Sequence, residues 1–323
     1  MRLQSLLLMP VVCALALAAD PRETPPRETT SRETTTSGQW VLMQTDQAGK
    51  VQFGLSGGGG ERRSHFNMSN EWDLADLQGL DSSTKTKHDV QFTVTRDAGI
   101  IRCRGFVEEG EGAGLFRFEP NKGYAARLSG LGFPGVEDDD LLPYAVHDVS
   151  FGFVQEMTGA PVRGLDKGKL LSFRIFGVNR KFIDELRAAG LPAVEADKLI
   201  AFRIHGVSPE FVRTLKGEGY QPDEDKLIAM RIHGVTPEYM RSLDALGYRH
   251  VDLDRLIAFR IHGVSPDFIE RLQKLGYSHP EPDQLIAMRI HGVTPEYISS
   301  MREHGLKDLS IDKLVSLRIQ GIN

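Results

Sequence analysis

Asp197-Lys198-Leu199-Ile200-Ala201-Phe202-Arg203-Ile204-His205-Gly206-Val207-Ser208-Pro209-Glu210-Phe211 decides the fold, because it recurs almost verbatim from Asp225, Asp254 and Asp283. Weaker copies start at Gly168 and Asp312, and a degenerate one at Asp139. The first leucine of each copy falls at 141, 170, 199, 227, 256, 285 and 314, a period of 28 or 29 residues. Seven copies at a fixed period predict a solenoid, in which each unit buries its apolar side against its neighbours. The last copy stops at Asn323 after its first half.

Each copy reads as two short helices. The Asp two residues before the leucine is expected to cap the first helix. Gly206, Gly234, Gly263 and Gly292 supply a left-handed stop. Ser208-Pro209-Glu210, with Thr236-Pro237-Glu238, Ser265-Pro266-Asp267 and Thr294-Pro295-Glu296, sets a hydroxyl cap, Pro at the first helical position and an acid where the helix dipole favours one. Phe211 with Leu215, Tyr239 with Leu243, Phe268 with Leu272, and Tyr297 with Met301 form the core stripe of the second helix, which Gly219, Gly247 and Gly276 end. Ile200, Phe202 and Ile204 also alternate with Ala201, Arg203 and His205, which suits the strand of a leucine-rich-repeat-like α/β horseshoe. The cap before the segment and the glycine after it favour a helix, and that repeat's Asn or Cys is missing.

On a wheel at about 100° per residue, Leu199, Ile200, Phe202, Ile204 and Val207 share an apolar arc, with Arg203 inside it. Its equivalents are Arg174, Arg231, Arg260, Arg289 and Arg318. A cation there needs partners, because burying it alone is costly. The acid after Pro, or the carbonyl end of a neighbouring helix, can serve, so the row is expected to be a structural ladder rather than an anion site. His205, His233, His262 and His291 project from the opposite side, near Ala201, Ala229, Ala258 and Ala287, as a candidate partner-binding stripe. Stacked helix pairs repeat about every 10 Å, whereas two ligands of one zinc lie within about 4 Å of each other. No metal or cofactor is therefore expected, and no catalytic residue.

Upstream of the copies, residues 39–133 alternate with period two: Val51, Phe53 and Leu55; Val90, Phe92 and Val94; Phe116 and Phe118. Glycine-containing breaks at 57–60, 97–99 and 110–114 read as turns. Five or six antiparallel strands follow, as a small β-sandwich or partly open barrel, with a helical turn near 73–80 and a closing helix near 124–131. The fold class is thus α+β in two domains, a β-rich domain at 39–133 and an α-solenoid of about seven 29-residue helix pairs at 139–323. The glycine clusters match no phosphate-binding motif: Gly60 is followed by Glu61-Arg62-Arg63, and the 110–114 stretch is G-x-G-x-G between strands. Cys103, in step with Ile101, is expected to be a buried structural thiol rather than a nucleophile.

Residues 1–18 carry Arg2, an apolar run from Leu6 to Leu17 and the small-residue pattern Ala16-Leu17-Ala18, the marks of an export signal. That run falls short of the roughly 20 residues a membrane span needs. Residues 19–38 repeat Arg-Glu-Thr at 22, 27 and 32 among Thr and Pro, and are expected to be a disordered linker. The mature chain is then exported to the periplasm, the cell envelope or the medium, with no integral membrane segment after cleavage. A net charge of -5 and a pI near 6.1 argue against a nucleic-acid partner.

The units with Arg-Ile-His-Gly-Val-Ser/Thr-Pro-Glu resemble helical repeats in accessory regions of bacterial membrane-bound sensor proteins, including those attached to BlaR/MecR-type metallopeptidases. Residues 96–99 and 112–118 are similar to segments from the same setting. The resemblance implies a bacterial, exported accessory module. Such peptidases carry H-E-x-x-H on a membrane helix; this sequence has no such motif and no G-x-S-x-G, so no catalytic residue carries over. The expected function is a non-enzymatic scaffold that binds a protein or peptide. The alternatives are a self-assembling structural protein of the envelope and a hydrolase with an unrecognised site in the β-domain.

Overall fold

A computed structural model of the chain describes residues 36–59, 64–82 and 84–322. The stretch read as an export signal and most of that read as a linker lie outside these residues; Ser37 and Gly38, read as the end of the linker, belong to the first strand. The described chain is α+β, a six-stranded antiparallel sheet followed by fourteen α-helices.

The strands are β1 (Ser37–Gln44), β2 (Lys50–Gly59), β3 (Ser64–Asp73), β4 (His88–Arg96), β5 (Gly99–Glu108) and β6 (Glu111–Pro120), in the spatial order β3-β2-β1-β6-β5-β4. Two three-stranded meanders are therefore joined by the pairing of β1 with β6. The inner side chains show that this single sheet rolls up. Phe92 on β4 lies three strand places from Trp40 on β1 and four from Phe53 on β2, which in a flat sheet means about 14 and 19 Å. The ring centroids are 5.1 and 5.8 Å apart. Just past β3, Gln78 exchanges two backbone hydrogen bonds of 2.8 and 2.9 Å with Thr93 on β4, tying the ends of the sheet together. One curled sheet thus replaces the two stacked sheets of a sandwich.

The glycine runs are mostly strand, not turn. Gly57 and Gly58 pair with Phe66 and His65 inside the β2–β3 ladder, and Gly112 and Gly114 lie within β6. Their role is room. A Cβ on Gly114 would come within 2.6 Å of Trp40 Nε1, and one on Gly105 within 2.8 Å of its Cζ2. Gly105, Gly112 and Gly114 form the bed on which the Trp40 ring lies, whereas Gly57 makes room for the β1 backbone at Ser37 and Gly38 and for the Phe66 ring.

Six of the sequence copies are helix pairs, and the seventh contributes a first helix. The first helices are α2 (Asp138–Val146), α4 (Lys167–Phe176), α6 (Ala196–His205), α8 (Glu224–Ile232), α10 (Leu253–His262), α12 (Pro282–Ile290) and α14 (Ile311–Ile319). The second helices are α3 (Phe151–Thr158), α5 (Arg180–Ala188), α7 (Pro209–Gly217), α9 (Pro237–Ala245), α11 (Pro266–Lys274) and α13 (Pro295–Glu303). The alternating segment 199–205 lies in α6, so the strand of a horseshoe does not form. From α4 to α14 each first helix packs on the next. Ser208, Thr236, Ser265 and Thr294 accept from the amide three residues on, at 3.1 to 3.2 Å, with Pro at the first helical position. Gly206, Gly234, Gly263 and Gly292 are left-handed, with φ of 70 to 73°.

The aspartates before the leucines do not cap. Asp225 and Asp254 sit two residues inside helices that Asp223 and Asp252 cap. Asp197, Asp225, Asp254, Asp283 and Asp312 instead face the preceding copy, paired with Lys169, Lys198, Lys226, Arg255 and Gln284. The exception in the sequence then makes sense. Gly168 offers no acid, and the residue placed to reach it is Asp140 rather than a cation; Asp140 pairs with Lys167 at 2.9 Å.

The array also starts earlier than its sequence signal. In α1 (Tyr124–Gly130), the Tyr124 hydroxyl donates to the Val149 carbonyl, as Tyr239 does to Val264 and Tyr297 to Ile322, always across 25 residues. Phe133 N bonds Leu128 O just as Tyr248 N bonds Leu243 O. The helix read as closing the β-domain therefore fills the second-helix place of a half-copy before α2, and β6 runs directly into it. Asp97, in the β4–β5 turn, accepts from Phe151 N at 2.7 Å, and Arg96 reaches Asp148 at 3.6 Å, so the sheet also bonds to the first pair.

Between second helices, Arg271 pairs with Glu296 and, with the Glu296 and Thr294 bonds, holds the Glu296 carboxyl down to about 2. A depressed carboxylate stabilises the fold above its unfolded pKa, about 4.3, and loses that contribution as pH falls through the folded value. Urea titrations of Arg271→Gln and the parent should therefore differ at neutral pH. The gap should close as pH is lowered from about 4.5 toward about 2; a gap independent of pH would assign the effect to packing.

Candidate functional site

The first helices and the valine after each glycine stop bury Leu199, Phe202 and Val207, and the same positions in the other copies, such as Leu227, Met230 and Val235, or Leu256, Phe259 and Val264. Ile204 is not with them. It is 52% exposed, and its equivalents Ile175, Ile232, Ile261, Ile290 and Ile319 range from 48 to 63%. The wheel explains the difference from the expected arc: two residues turn the helix by about 200°, so a helix that buries Phe202 turns Ile204 outward. Ile200 stays half-buried at the edge of the arc.

One isoleucine per copy thus forms a row across six first helices that pack in succession. Single exposed apolar side chains are ordinary, but six at equivalent positions of successive helices are a repeated feature rather than scatter. The histidines flank the row. His205, His233 and His291 are exposed and His262 is half-buried, each about 100° around the helix from the adjacent isoleucine. The half-buried alanines 201, 229, 258 and 287 lie next to them. A copy therefore presents an acid, an alanine, an isoleucine and an imidazole, as in Asp197, Ala201, Ile204 and His205.

The arginine row is placed at the rim rather than inside the arc; Arg203 and Arg260 are exposed and Arg231 and Arg289 half-buried. Arg174, Arg203, Arg260 and Arg289 donate through Nε to the carbonyls of His147, Phe176, His233 and His262, at 2.9 to 3.2 Å. These carbonyls end the preceding first helix, where its dipole favours a cation. Each guanidinium also lies over the aromatic ring of the preceding second helix. The pairs are Arg174–Phe153, Arg203–Phe182, Arg231–Phe211, Arg260–Tyr239, Arg289–Phe268 and Arg318–Tyr297, at 4.7 to 5.3 Å from the centroid. The arginines thus bridge consecutive copies.

Cys103 is buried on the inner face of β5, opposite Phe116, and burial pushes its thiol well above the ordinary range, which suits packing and not nucleophilic attack. Among the described residues no three His, Cys, Asp or Glu side chains converge as metal ligands would, and no helix is long and apolar enough to cross a membrane. The isoleucine row, which the sequence reading assigned to the core, is the feature that the structure adds; its signal was the position of Ile204 relative to Phe202 on the wheel. Set against protein-family models, curated proteins and solved structures, the chain matches none.

Proposed function

We propose that this chain is an exported, non-catalytic binding scaffold in which a β-domain carries an α-solenoid, residues 139–323, whose isoleucine row engages a protein or peptide. The carrying observation is the exposure of Ile175, Ile204, Ile232, Ile261, Ile290 and Ile319 in register. Burying a side chain of this size contributes about 1.5–3 kcal/mol, so three or four seated together supply useful affinity. Packed helices stand about 8–10 Å apart. A heptad step along a partner helix, about 10.5 Å, keeps pace with that spacing, whereas a two-residue step along a strand, about 6.7 Å, does not. An amphipathic helix with one apolar residue per heptad is the occupant that fits. The bacterial envelope as setting rests on the N-terminal stretch and on the resemblance of the repeats.

The test is the triple variant Ile204→Ser, Ile232→Ser and Ile261→Ser. These side chains face solvent, so each change should move stability by no more than about 0.5 kcal/mol. A partner captured by the parent from the host's envelope fraction should be lost with the variant. Undiminished capture by the variant would exclude the row. A row of identical residues can also mate with itself about a two-fold axis. Light scattering separates that reading: a dimer of the parent that becomes a monomer in the triple variant means self-assembly.

A further inference from the structure

The first copy departs from the others where the sheet touches it. After each later first helix stands a left-handed glycine, Gly177, Gly206, Gly234, Gly263, Gly292 and Gly321, with φ of 69 to 78°. After α2 that place is taken by Asp148, left-handed at φ 51°, a conformation that disfavours an L side chain and that Asp tolerates better than most. Its carboxylate gives the strain a use. Oδ2 accepts from Arg174 of α4 at 3.1 Å, and Oδ1 lies 3.6 Å from Nε of Arg96 at the end of β4. Arg96 is also paired with Asp76 at 2.7 Å and lies over the Trp72 ring at 5.4 Å. One strained acid thus ties the sheet to the second copy of the array.

The residue before it, His147, holds the place that His205, His233, His262 and His291 hold in later copies. Here the imidazole is half-buried and meets the sheet: the Asn70 amide of β3 stands 3.4 Å from its Nδ1. The amide nitrogen can only donate, so Nδ1 offers its lone pair and the ring proton is assigned to Nε2. Burial, and then the charge of Arg174, hold the imidazole below its ordinary range. The acids of the joint are already engaged, Asp148 by Arg174 and Arg96, Asp76 by Arg96, and Asp97 by the Phe151 amide at 2.7 Å. An imidazolium at 147 therefore meets a guanidinium and an amide N–H rather than a free carboxylate.

We propose that His147 makes the joint between sheet and array a proton-sensitive latch. Neutral, it seats β3 on the end of α2. Protonated, it gives up the Asn70 bond, faces Arg174 as a like charge and weakens the hold of the sheet on the array. Above the ordinary histidine value, about 6.5, the latch holds in full. As pH falls from there through the lowered value its contribution is lost, because the loosened joint takes the proton more readily.

The chain carries its own two probes. Trp40 and Trp72, its two tryptophans, both lie in the sheet, whereas far-ultraviolet circular dichroism reads mainly the helices. Urea unfolding of the full chain at about pH 7.5 and about pH 5.5 should show the fluorescence midpoint moving to lower urea, relative to the dichroism midpoint, on acidification. His147→Gln, which takes up no proton, should lose that relative shift. Asn70→Asp, which offers the imidazolium a carboxylate, should reduce or reverse it. His88, whose charged form the Thr86 and Asp81 carbonyls favour, is present in all three proteins, so a shift that it causes survives in His147→Gln. Nitrogen-detected NMR of the parent needs no variant: the His147 ring should titrate below about 6.5. A relative shift that persists in His147→Gln, none in the parent, an Asn70→Asp protein that responds like the parent, or a His147 ring that titrates at or above the ordinary value overturns the inference.

Discussion

Trp40→Ala should destabilise the chain by about 3–5 kcal/mol, the range for emptying a buried aromatic site. Trp40 has no exposed surface, its ring meets Phe92 edge-on at 5.1 Å and Phe53 at 6.3 Å, and its Nε1 donates to the Arg104 carbonyl at 3.1 Å. The cavity cannot readily collapse, because the wall on one side is backbone: Gly105, Gly112 and Gly114 have no side chains to move inward. The same contacts hold the roll of the sheet, since Trp40 and Phe92 belong to strands three places apart. Trp40→Phe should cost much less, keeping a ring against Phe92 and giving up the hydrogen bond, worth about 0.5–1.5 kcal/mol. Gly114→Ala, whose methyl would run into the Arg104 carbonyl oxygen and the Gly105 Cα as well as coming within 2.6 Å of the indole nitrogen, should reach the upper end of the cost of overpacking, about 1–3 kcal/mol. Urea unfolding followed by circular dichroism reads all three. A loss below about 1 kcal/mol for Trp40→Ala would mean that the cross-sheet cluster does not hold the curl.

Local chemistry was the legible part of this chain. Ser208-Pro209 starts a helix and Gly206 stops one for reasons contained in a few residues, and the structure has them so. What the sequence concealed depends on neighbours. Asp197 looks like a cap because a cap is what a carboxylate at a helix start does alone; with a preceding copy present, Lys169 takes it instead. The runs at 57–60 and 110–114 look like turns because glycine suits turns. Gly112 and Gly114 make sense inside a strand only once the Trp40 indole has to lie on them, and Gly57 only once the β1 backbone and Phe66 stand against it. Ile204 was misplaced because the arc drawn on the wheel spanned about 200°, wider than the face a packed helix buries. The same wide arc took in Arg203, when its guanidinium reaches back along the rim to Phe176 and Phe182. On the sheet, alternation fixed which face Cys103 takes, and the same alternation places Arg102 and Arg104 outward. Which strand each would face needed the β5–β6 register.

Gly263→Ala should cost about 2–4 kcal/mol, as the sum of two effects that a second substitution can separate. The first is backbone strain: Gly263 has φ of 73°, and an L side chain there costs about 1–2 kcal/mol. The second belongs to the next copy. A Cβ at 263 would stand 2.9 Å from Nη2 of Arg289, whose Nε donates to the His262 carbonyl at 3.1 Å and whose guanidinium lies 5.0 Å from the Phe268 centroid. To make room the guanidinium has to shift, which weakens its bond to the carbonyl, its seat on the ring or both. In an Arg289→Met background that second effect disappears, and Gly263→Ala should then cost only the strain, with a coupling of about 0.5–3 kcal/mol between the sites. Gly292 is the internal control. It has φ of 71°, but the nearest approach to Arg318 is 3.3 Å, so Gly292→Ala should carry the strain and little more. Thermal or urea unfolding of the four cycle members and of Gly292→Ala decides the matter. Strict additivity at 263 and 289 would reduce the arginine row to a surface feature. Coupling would mean that the stop of each first helix and the arginine of the following copy are one device, so that a copy is held in its helical form by the neighbour it helps to seat.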